Sequence, residues 1–494
     1  MRTRLNGAAR PALRCGAALA ALCALGIACA AARREPEAAS AASSRPEPAR
    51  RPDLVVLLSD DQGYGDLARR GSPARTPRLD AFFAESLELT HLYVSPVCTP
   101  TRAALLTGRS PMELGLQYHV LRGWSPQGLA AEVVTLPELL RRADYQTALV
   151  GKWHLGHAHP SYQPNAQGFD RFYGHLLGAS HFDLDFLGAR DLQRDGGRTR
   201  DEGYATELLG DELLRVLEER DPTRPLFLLA AFGAPHRPYE APEALTASYP
   251  PLGSQRRRYA AMLESLDAQV GRVLDAVSAG GRDTLVLFLS DNGAVTPPGS
   301  NAPLRGGKGT LYEGGIRVPA AIRWPGRLPA GRASAQLLRD SDLYATLAAA
   351  AGLPAAELPP RVEGRDLLPA LASGELVAHA PLLFAVESNR AQSHAVIDWP
   401  FKLVLDEPRA PAQAKPAGAP ARRRGGGRRI ELFDLASDPG EKRDLRASEL
   451  ARIPPLLARL EAWRATHPGA GLRYDPHPPR GWRRPRDWTE PVSN

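Results

Sequence analysis

Cysteine is scarce in this chain of 494 residues, which contains only four. Three of the four fall within the first thirty residues, so Cys98 is the only cysteine beyond that stretch. A scaffold held together by disulfides is therefore excluded for the rest of the chain. The 43% hydrophobic content is sufficient to build a core without cross-links. A lone cysteine in such a chain requires a specific explanation.

The chain also lacks a convincing membrane-spanning run near its start. The apolar stretch 15–28 is too short to cross a bilayer. It precedes a small-x-small cleavage site, Ala28-Cys29-Ala30, and therefore predicts a signal peptide over residues 1–30. Alternatively, Cys29 is lipidated after an imperfect lipobox, in which Leu25 stands one position too early. Basic residues precede the apolar stretch: Arg2, Arg4, Arg10 and Arg14.

Residues 31–52 are rich in Ala, Glu, Pro and Ser, and we interpret them as a flexible tether. The expected location is the periplasm or the cell exterior, with membrane attachment only if Cys29 is lipidated. A motif for nucleic-acid binding is lacking too, so we expect no nucleic-acid partner. The formal net charge of +7 comes largely from arginine runs at 422–429 and 480–486. These runs indicate either solvated loops or a surface that attracts polyanions.

Four apolar runs, each ending in polar residues, are present after the tether. Continuous apolar runs of this length are typical of strands buried on both faces. Helical patterns at 208–217 and 259–277 lie between them, which predicts an α/β fold with a large, mixed, mainly parallel sheet sandwiched by helices. Ligands of such sheets bind beyond the carboxyl ends of the strands, where the four polar clusters are expected to converge. The runs end in Ser59-Asp60-Asp61, Gly151-Lys152-Trp153-His154, Gly233-Ala234-Pro235-His236 and Ser290-Asp291-Asn292-Gly293.

The pattern changes after about residue 375. Short apolar runs predict a smaller C-terminal antiparallel sheet, and Ile453 to Arg464 predicts a closing helix. The low-complexity residues 408–429 predict an insertion without regular structure. We therefore divide the chain into a catalytic domain over 53–375 and a smaller C-terminal subdomain over 376–494.

Cys98 is predicted to lie at a helix N-terminus. Thr99 is a candidate cap, Pro100 suits the first helical position, and the helix would continue to Gly108. The helix dipole at such a place lowers a thiol pKa and favours anionic ligands. Three interpretations follow: a small buried residue, a thiolate nucleophile, or a residue modified after translation.

The segment CTPTRAALLTGR resembles the signature of the type I, formylglycine-dependent sulfatases. The resemblance extends from Asp53 to Leu445 and includes LLSDDQGYGDL, VGKWHLG, APHRPY, LSDNG, PLRGGKGTLYEGGIRVP and LFDLASDPGEKRDL. The segments GLQYHV, GKWHLG, GFDRFYGHLLG and RGGKGTLYEGG are most similar to the arylsulfatase B-like branch, which includes N-acetylgalactosamine-4-sulfatases. The resemblance implies the alkaline phosphatase superfamily fold and hydrolysis of sulfate esters. It also implies that Cys98 is oxidised to formylglycine by a formylglycine-generating enzyme.

A metal site is also expected. Asp60, Asp61, Asp291 and Asn292 form an all-oxygen set that suits a hard cation such as one calcium ion, with the residue derived from Cys98 beside it. Taken separately, each of these segments would be read as a solvated or tight turn. Their position at two strand ends favours the metal.

The resemblance also implies the roles of the remaining residues. A hydroxyl of the hydrated formylglycine attacks sulfur, and the second hydroxyl is later deprotonated to release sulfate. His154 is the implied base of that second step. His236 and Lys308 are implied to bind sulfate and protonate the leaving oxygen, and Arg102 and Lys152 to position the diol.

Two alternatives remain to be distinguished. A phosphonate monoesterase or phosphodiesterase of the same superfamily would share the fold and differ in metal and preferred anion. A non-catalytic protein that captures sulfated glycans would bind without turnover. The leading hypothesis is an exported sulfatase that acts on a sulfated sugar or an aryl sulfate, with specificity determined by loops 116–134, 157–201 and 295–304.

Overall fold

The computed structural model describes residues 50–178, 181, 187–389, 391–408, 427–469, 471, 475 and 477–489. They belong to one compact unit, Arg50–Asn494. The predicted signal peptide, residues 31–49 of the tether and residues 409–426 of the insertion lie outside the described residues. Within the described part of the chain, no helix has both the length and the apolar character needed to cross a membrane.

Sixteen strands and ten α-helices are found in the described part of the chain. The strands are β1 (Asp53–Ser59), β2 (Leu87–Leu89), β3 (Leu92–Tyr93), β4 (Gln146–Lys152), β5 (Arg171–His175), β6 (Gln193–Arg194), β7 (Gly197–Arg198), β8 (Leu226–Ala231), β9 (Thr284–Ser290), β10 (Ala320–Arg323), β11 (Arg332–Ser334), β12 (Leu338–Arg339), β13 (Leu382–Glu387), β14 (Ala391–Asp398), β15 (Phe401–Pro408) and β16 (Arg429–Asp434). The helices are α1 (Pro77–Ala84), α2 (Cys98–Thr107), α3 (Leu136–Arg142), α4 (Ala205–Glu219), α5 (Glu243–Thr246), α6 (Ser254–Ala279), α7 (Glu313–Ile316), α8 (Asp340–Ala350), α9 (Leu368–Ser373) and α10 (Ile453–Arg464).

The large sheet has ten strands in the order β11-β2-β10-β9-β1-β8-β4-β5-β6-β7. The central pairings β9–β1, β1–β8, β8–β4 and β4–β5 are parallel, while β10 and the β6–β7 edge are antiparallel to their neighbours. This confirms the predicted mixed, mainly parallel sheet. The four predicted apolar runs form its four adjacent central strands, β9, β1, β8 and β4.

Alternate residues of β1 enter different cores. Leu54, Val56 and Leu58 pack with residues of α2, α3 and α8, whereas Val55 and Leu57 pack with residues of α1, α4 and α6. The side chains of a strand point alternately to the two faces of its sheet. Burial of both sets confirms the predicted sandwich, with helices on each face.

The smaller sheet has the order β13-β14-β15-β16 and is antiparallel throughout. Its residues Val396, Leu403 and Leu432 pack against Leu456 and Leu460 of α10. This confirms the predicted C-terminal antiparallel sheet with its closing helix. The division of the chain at residue 375 stays a prediction.

Candidate active site

The polar clusters that follow the central strands meet at one edge of the large sheet. The Lys152 Nζ at the end of β4 lies 2.5 Å from Asp60 Oδ2, just after β1. Asp291, just after β9, accepts hydrogen bonds from Arg102 Nη2 at 2.8 Å and from the Asp61 amide at 3.3 Å. Charged groups from three of the four central strands and from one helix are thus in contact. Almost all of them are buried, because the strand ends lie under the loops of the chain.

The backbone before Lys152 requires glycine. Gly151 has a φ of +118°, and a Cβ at this position would lie 1.9 Å from the carbonyl oxygen of Ala231 on the neighbouring strand β8. Only glycine fits both constraints. This close approach at the end of β4 places Lys152 beside Asp60.

Cys98 occupies the first turn of α2, but the predicted cap is wrong. The helix begins at Cys98 itself, two residues earlier than expected, and its N-cap residue is Val97. Thr99 Oγ1 instead donates to the carbonyl oxygen of His154 at 3.1 Å and accepts from the amide of Leu121 at 3.1 Å. Thr99 therefore joins three segments of the site.

The predicted lowering of the Cys98 thiol pKa is also wrong. Burial and the nearby charge of Asp291 raise the pKa of Cys98 to about 12, against the opposing effect of Lys152 and Lys308. Its Sγ lies 3.6 Å from Asp60 Oδ1. The unmodified thiol is therefore protonated at neutral pH, which argues against the thiolate interpretation.

Lys308 links Cys98 to the carboxylates. Its Nζ lies 2.6 Å from Asp61 Oδ1 and 3.5 Å from Cys98 Sγ. Burial opposes the charge of Asp61, but Lys308 and His236 outweigh it and lower the pKa of Asp61 to about 2. Burial likewise opposes the charge of Lys308, yet Asp61 raises its pKa above the usual value. Both groups are therefore charged at neutral pH.

His154 is buried, His236 is half-buried, and both of these predicted histidines are neutral. Burial, followed by the charge of Lys152, holds the pKa of His154 well below its usual range. Burial and Lys308 do the same for His236. His154 Nε2 lies 2.9 Å from the carbonyl oxygen of Leu121, and His236 Nε2 lies 3.7 Å from Asp61 Oδ2.

The oxygen-rich group fits a hard cation. Asp61 Oδ2 and Asn292 Oδ1 are buried atoms without a hydrogen-bond partner among the described residues. Candidate ligand atoms of Asp60, Asp61, Cys98 and His236 all lie within 4.8 Å of one another. Asn292 Nδ2 donates to Asp61 Oδ1 at 2.7 Å, so the side-chain amide of Asn292 lies beside this group of candidate ligands. Buried carboxylate and amide oxygens are ligands of calcium and magnesium.

A cavity of about 330 Å³ opens onto Cys98. Two of the three predicted specificity loops, 116–134 and 157–201, contribute to its wall, and the third, 295–304, contributes none of its described lining residues. His157 and His159 do not line it either: His157 Nε2 bonds the Gly123 carbonyl at 3.1 Å, and His159 contacts Ser161. The lining residues are Val97, Cys98, His119, Val120, Leu121, Arg122, Gly123, His154, Leu177, Gly178, His236, Arg237, Pro238 and Lys308.

Sequence reasoning missed several contributors to the site. His181 Nε2 lies 2.6 Å from the carbonyl oxygen of His236, and Arg122 and Arg237 line the cavity. Arg122 and His181 lie within loops that the sequence marked as specificity loops, but nothing in the local pattern distinguishes them from other loop residues. Arg237 follows His236 in the segment APHRPY, but the sequence pattern predicted no role for it.

The site thus combines Cys98 beside a cavity, two neutral histidines and three paired charges at the carboxyl ends of the central strands. The family model described as Sulfatase matches residues 52–353. Arylsulfatase J of Mus musculus is 32% identical over 90% of this chain and 80% of its own length. N-acetylgalactosamine-6-sulfatase of Homo sapiens is 37% identical over 68% of each chain. The chain belongs to the sulfatase family and is a sulfuric ester hydrolase.

Solved structures agree with this assignment. The structure of Ps i-CgsB in complex with k-i-k-neocarrahexaose has a TM-score of 0.73 and 28% identity, covering 85% of this chain and 94% of that one. The PsFucS1 sulfatase from Pseudoalteromonas sp. has a TM-score of 0.69 and 26% identity, covering 85% and 91%. A phosphonate monoester hydrolase of Agrobacterium radiobacter, at 22% identity, shares the fold alone. The arylsulfatase B-like branch stays a prediction, because these similarities extend across several kinds of sulfatase.

Proposed function

We propose that this sulfatase uses a formylglycine made from Cys98 and one calcium ion to hydrolyse sulfate esters of carbohydrates. The observation that carries the proposal is the position of Cys98. Its Sγ lies at the cavity, 3.5 Å from Lys308 Nζ and 3.6 Å from Asp60 Oδ1, among groups that bind anions and a cation. A cysteine that only fills space in the core would not need charged neighbours such as Lys308 and Asp60.

Asp60, Asp61, Asp291 and Asn292 would hold the calcium ion. When bound, the ion neutralises the carboxylates and polarises sulfate oxygens. Arg102 fixes the orientation of Asp291 through its Nε and Nη2 atoms, at 3.1 and 2.8 Å from Oδ2.

Formylglycine would supply a hydroxyl oxygen as nucleophile in its hydrated form. Lys152 and Lys308 keep positive charge on either side of this position. His154 is suited to accept a proton: Nε2 donates its hydrogen to Leu121, and buried Nδ1 has no hydrogen-bond partner among the described residues. A general base needs a suitable position and a neutral ring with an unprotonated nitrogen.

Lys308 is the candidate that stabilises the leaving oxygen, because its pKa is raised and its ammonium group faces the cavity. His236 lies beside it. Its Nδ1 donates to the carbonyl of Arg237, so Nε2 is the nitrogen that faces Asp61, and in the neutral ring this nitrogen carries a lone pair and no hydrogen. The Lys308 ammonium is therefore the preorganised donor that would act where charge develops in the transition state.

The proposed substrate is a sulfated carbohydrate. Relatives include N-acetylgalactosamine-6-sulfatases, and one similar structure is a complex with a neocarrahexaose. The cavity volume of about 330 Å³ lies at the lower end of the range for small-molecule sites, which suits one sulfated residue at a time. The proposal includes export through residues 1–30 and maturation by a formylglycine-generating enzyme.

The test is the mass of the tryptic peptide Leu79–Arg102 from protein produced in a host with maturation, together with turnover and metal content. We expect an aldehyde or its hydrate at Cys98, bound calcium, and faster hydrolysis of 4-nitrophenyl sulfate than of the phosphate or phosphonate ester. The Cys98→Ala variant is the control and should be folded and inactive. An unmodified thiol in active protein would contradict the formylglycine proposal. A preference for the phosphonate would favour the alternative activity.

A further inference from the structure

The segment 477–489, called the arginine segment below, lies against the loop that precedes β6. The Arg190 amide of that loop donates to the Arg486 carbonyl at 3.0 Å, and the Trp488 amide donates to the Arg190 carbonyl at 2.9 Å. The Arg484 guanidinium also donates to a backbone carbonyl of the same loop. These hydrogen bonds fix the arginine segment on the body of the protein.

Two tryptophans of the arginine segment pack against the wall of the active-site cavity. A Cβ on Gly123 would lie 3.1 Å from Trp488 Cη2, and Leu177 belongs to the same apolar cluster as Trp488. Gly123 and Leu177 both line the cavity. The ring of Trp482 meets the ring of Trp124 edge-on, with centroids 5.7 Å apart, and Trp124 follows Gly123 in the chain. The arginine segment therefore borders the cavity directly.

The arginine segment carries an excess of positive charge at the surface. It contains four arginines and one acidic residue, Asp487, which leaves three positive charges in excess. Asp487 is 2% exposed, and its Oδ2 lies 2.6 Å from Arg198 Nε of β7. The facing segment 187–202 contains four arginines and four acidic residues, so it does not offset the excess. All four arginines of the arginine segment are exposed: Arg480, Arg483, Arg484 and Arg486. Exposed guanidinium groups of this kind attract polyanions.

The position of the arginine segment favours a glycan among the polyanions. A cavity of about 330 Å³ suits one sulfated residue, so the rest of a longer glycan would emerge at the cavity border. Trp124 and Trp482 lie at this border and are only half-buried, which leaves aromatic surface for contact with sugar rings. Tryptophan supplies such contact area at low cost in conformational entropy, and arginine binds carboxylate and sulfate oxygens through paired hydrogen bonds.

We propose that the arginine segment is a binding surface for the sugar residues that flank the hydrolysed one in an acidic glycan chain. The ligand chemistry is a series of sulfate or carboxylate groups spaced along an oligosaccharide. This rests on the function proposed above and deepens it, because the preferred substrate becomes a polyanionic chain rather than a free sulfated monosaccharide. Arg483 and Arg486 are specificity-determining residues, whereas Arg484 positions the segment through its bond to the backbone.

Binding of oligosaccharides of increasing length to full-length Cys98→Ala protein loaded with calcium tests this surface without any turnover. The probes contain two, four or six sugar residues, in which a uronic acid alternates with 6-sulfated N-acetylgalactosamine. We expect calorimetry to show a Kd about 10- to 100-fold lower for the hexasaccharide than for the disaccharide. This gain should shrink at higher salt, because salt screens exposed charges. A single-stranded DNA of equal charge should bind about tenfold more weakly than the hexasaccharide.

The double variant Arg483→Ala/Arg486→Ala should lose most of the gain with length, whereas Arg258→Ala/Arg332→Ala should keep it. The control pair removes the same charge from exposed residues of α6 and β11, and β11 lies at the opposite edge of the large sheet from β6 and β7. Melting temperatures close to that of the parent show that both variants are folded.

Three results would overturn the glycan surface: equal Kd values for the three lengths, a gain with length that survives Arg483→Ala/Arg486→Ala, or DNA binding as tight as that of the hexasaccharide. Absence of binding by all three oligosaccharides would overturn it as well. Failure of the sulfatase proposal is read separately, from loss of 4-nitrophenyl sulfate turnover or an unmodified Cys98 in the matured parent protein.

Discussion

Lys308 contacts both the proposed nucleophile position, Cys98, and a proposed metal ligand, Asp61. Its short contact with Asp61 explains why that carboxyl stays ionised although it is buried. Removing one member of a buried pair leaves the other uncompensated, and the cost exceeds the worth of the pair itself. Lys308 thus helps to keep Asp61, a proposed metal ligand, ionised, and it also lines the cavity proposed for the substrate.

We predict that Lys308→Met lowers kcat/KM for 4-nitrophenyl sulfate by about 10²- to 10³-fold, because a preorganised donor to the developing charge is lost. Steady-state kinetics on matured protein measures this. Lys442→Met, an exposed lysine, is the matched control and should behave as the parent. A change of less than about threefold in Lys308→Met would show that this ammonium group stabilises nothing in the transition state.

At the scale of elements, the segment around Trp488 supports the active site from outside the matched family region. Trp488 is 3% exposed, its amide donates to the Arg190 carbonyl at 2.9 Å, and its ring covers Gly123. Two residues before Gly123, the Leu121 carbonyl accepts the hydrogen bond that orients His154. Packing near the end of the chain is thus connected to a proposed catalytic base.

Trp488→Ala should lower kcat for 4-nitrophenyl sulfate by about 10- to 100-fold, because a small displacement of the 121–123 backbone rotates the His154 ring. Trp488→Phe should restore most of the loss, since the aromatic contact with His157 is kept. Trp399→Ala, at a tryptophan that is 40% exposed, is the control. A lower melting temperature with unchanged kcat, measured well below that temperature, would indicate a purely structural role.

At the scale of the whole molecule, a buried charge network joins the small sheet to the segment that follows Lys308. Lys402 Nζ of β15 lies 2.9 Å from Glu313 Oε1 of α7 and 2.8 Å from Glu441 Oε1, and none of the three side chains is exposed. The Glu313 amide also donates to Glu441 Oε2 at 2.7 Å. One ammonium group thus contacts two carboxylates from different parts of the chain, and Arg317 Nη1 lies 3.5 Å from the other oxygen of Glu313.

Lys402→Met should lower the free energy of unfolding by about 3 to 5 kcal/mol, because two buried carboxylates would then face each other. Denaturant unfolding with a fitted midpoint and slope measures the change. Lys442→Met should stay within about 0.5 kcal/mol of the parent. A loss of less than about 1 kcal/mol in the free energy of unfolding of Lys402→Met would mean that other groups compensate the charges of Glu313 and Glu441.

Much of this architecture could be predicted from local patterns. Each of the four apolar runs is a central strand, the helix Ile453–Arg464 begins and ends as expected, and the residues after each strand meet at one edge. Hydrophobic periodicity reports burial directly, and parallel strands place their carboxyl ends together. The sequence by itself therefore determined the fold class and which polar segments come together at this edge of the sheet.

The tertiary structure alone decided the rest. Three features depend on groups far away along the chain: the raised pKa of the Cys98 thiol, the His154 nitrogen that has no partner among the described residues, and the packing of Trp488 on Gly123. A local pattern predicts the helix dipole at Cys98, which lowers the thiol pKa. It does not predict the burial and the nearby carboxylates, which raise that pKa. Local sequence specifies which surfaces are apolar, whereas electrostatics and side-chain contacts depend on distances that exist only after the chain has folded.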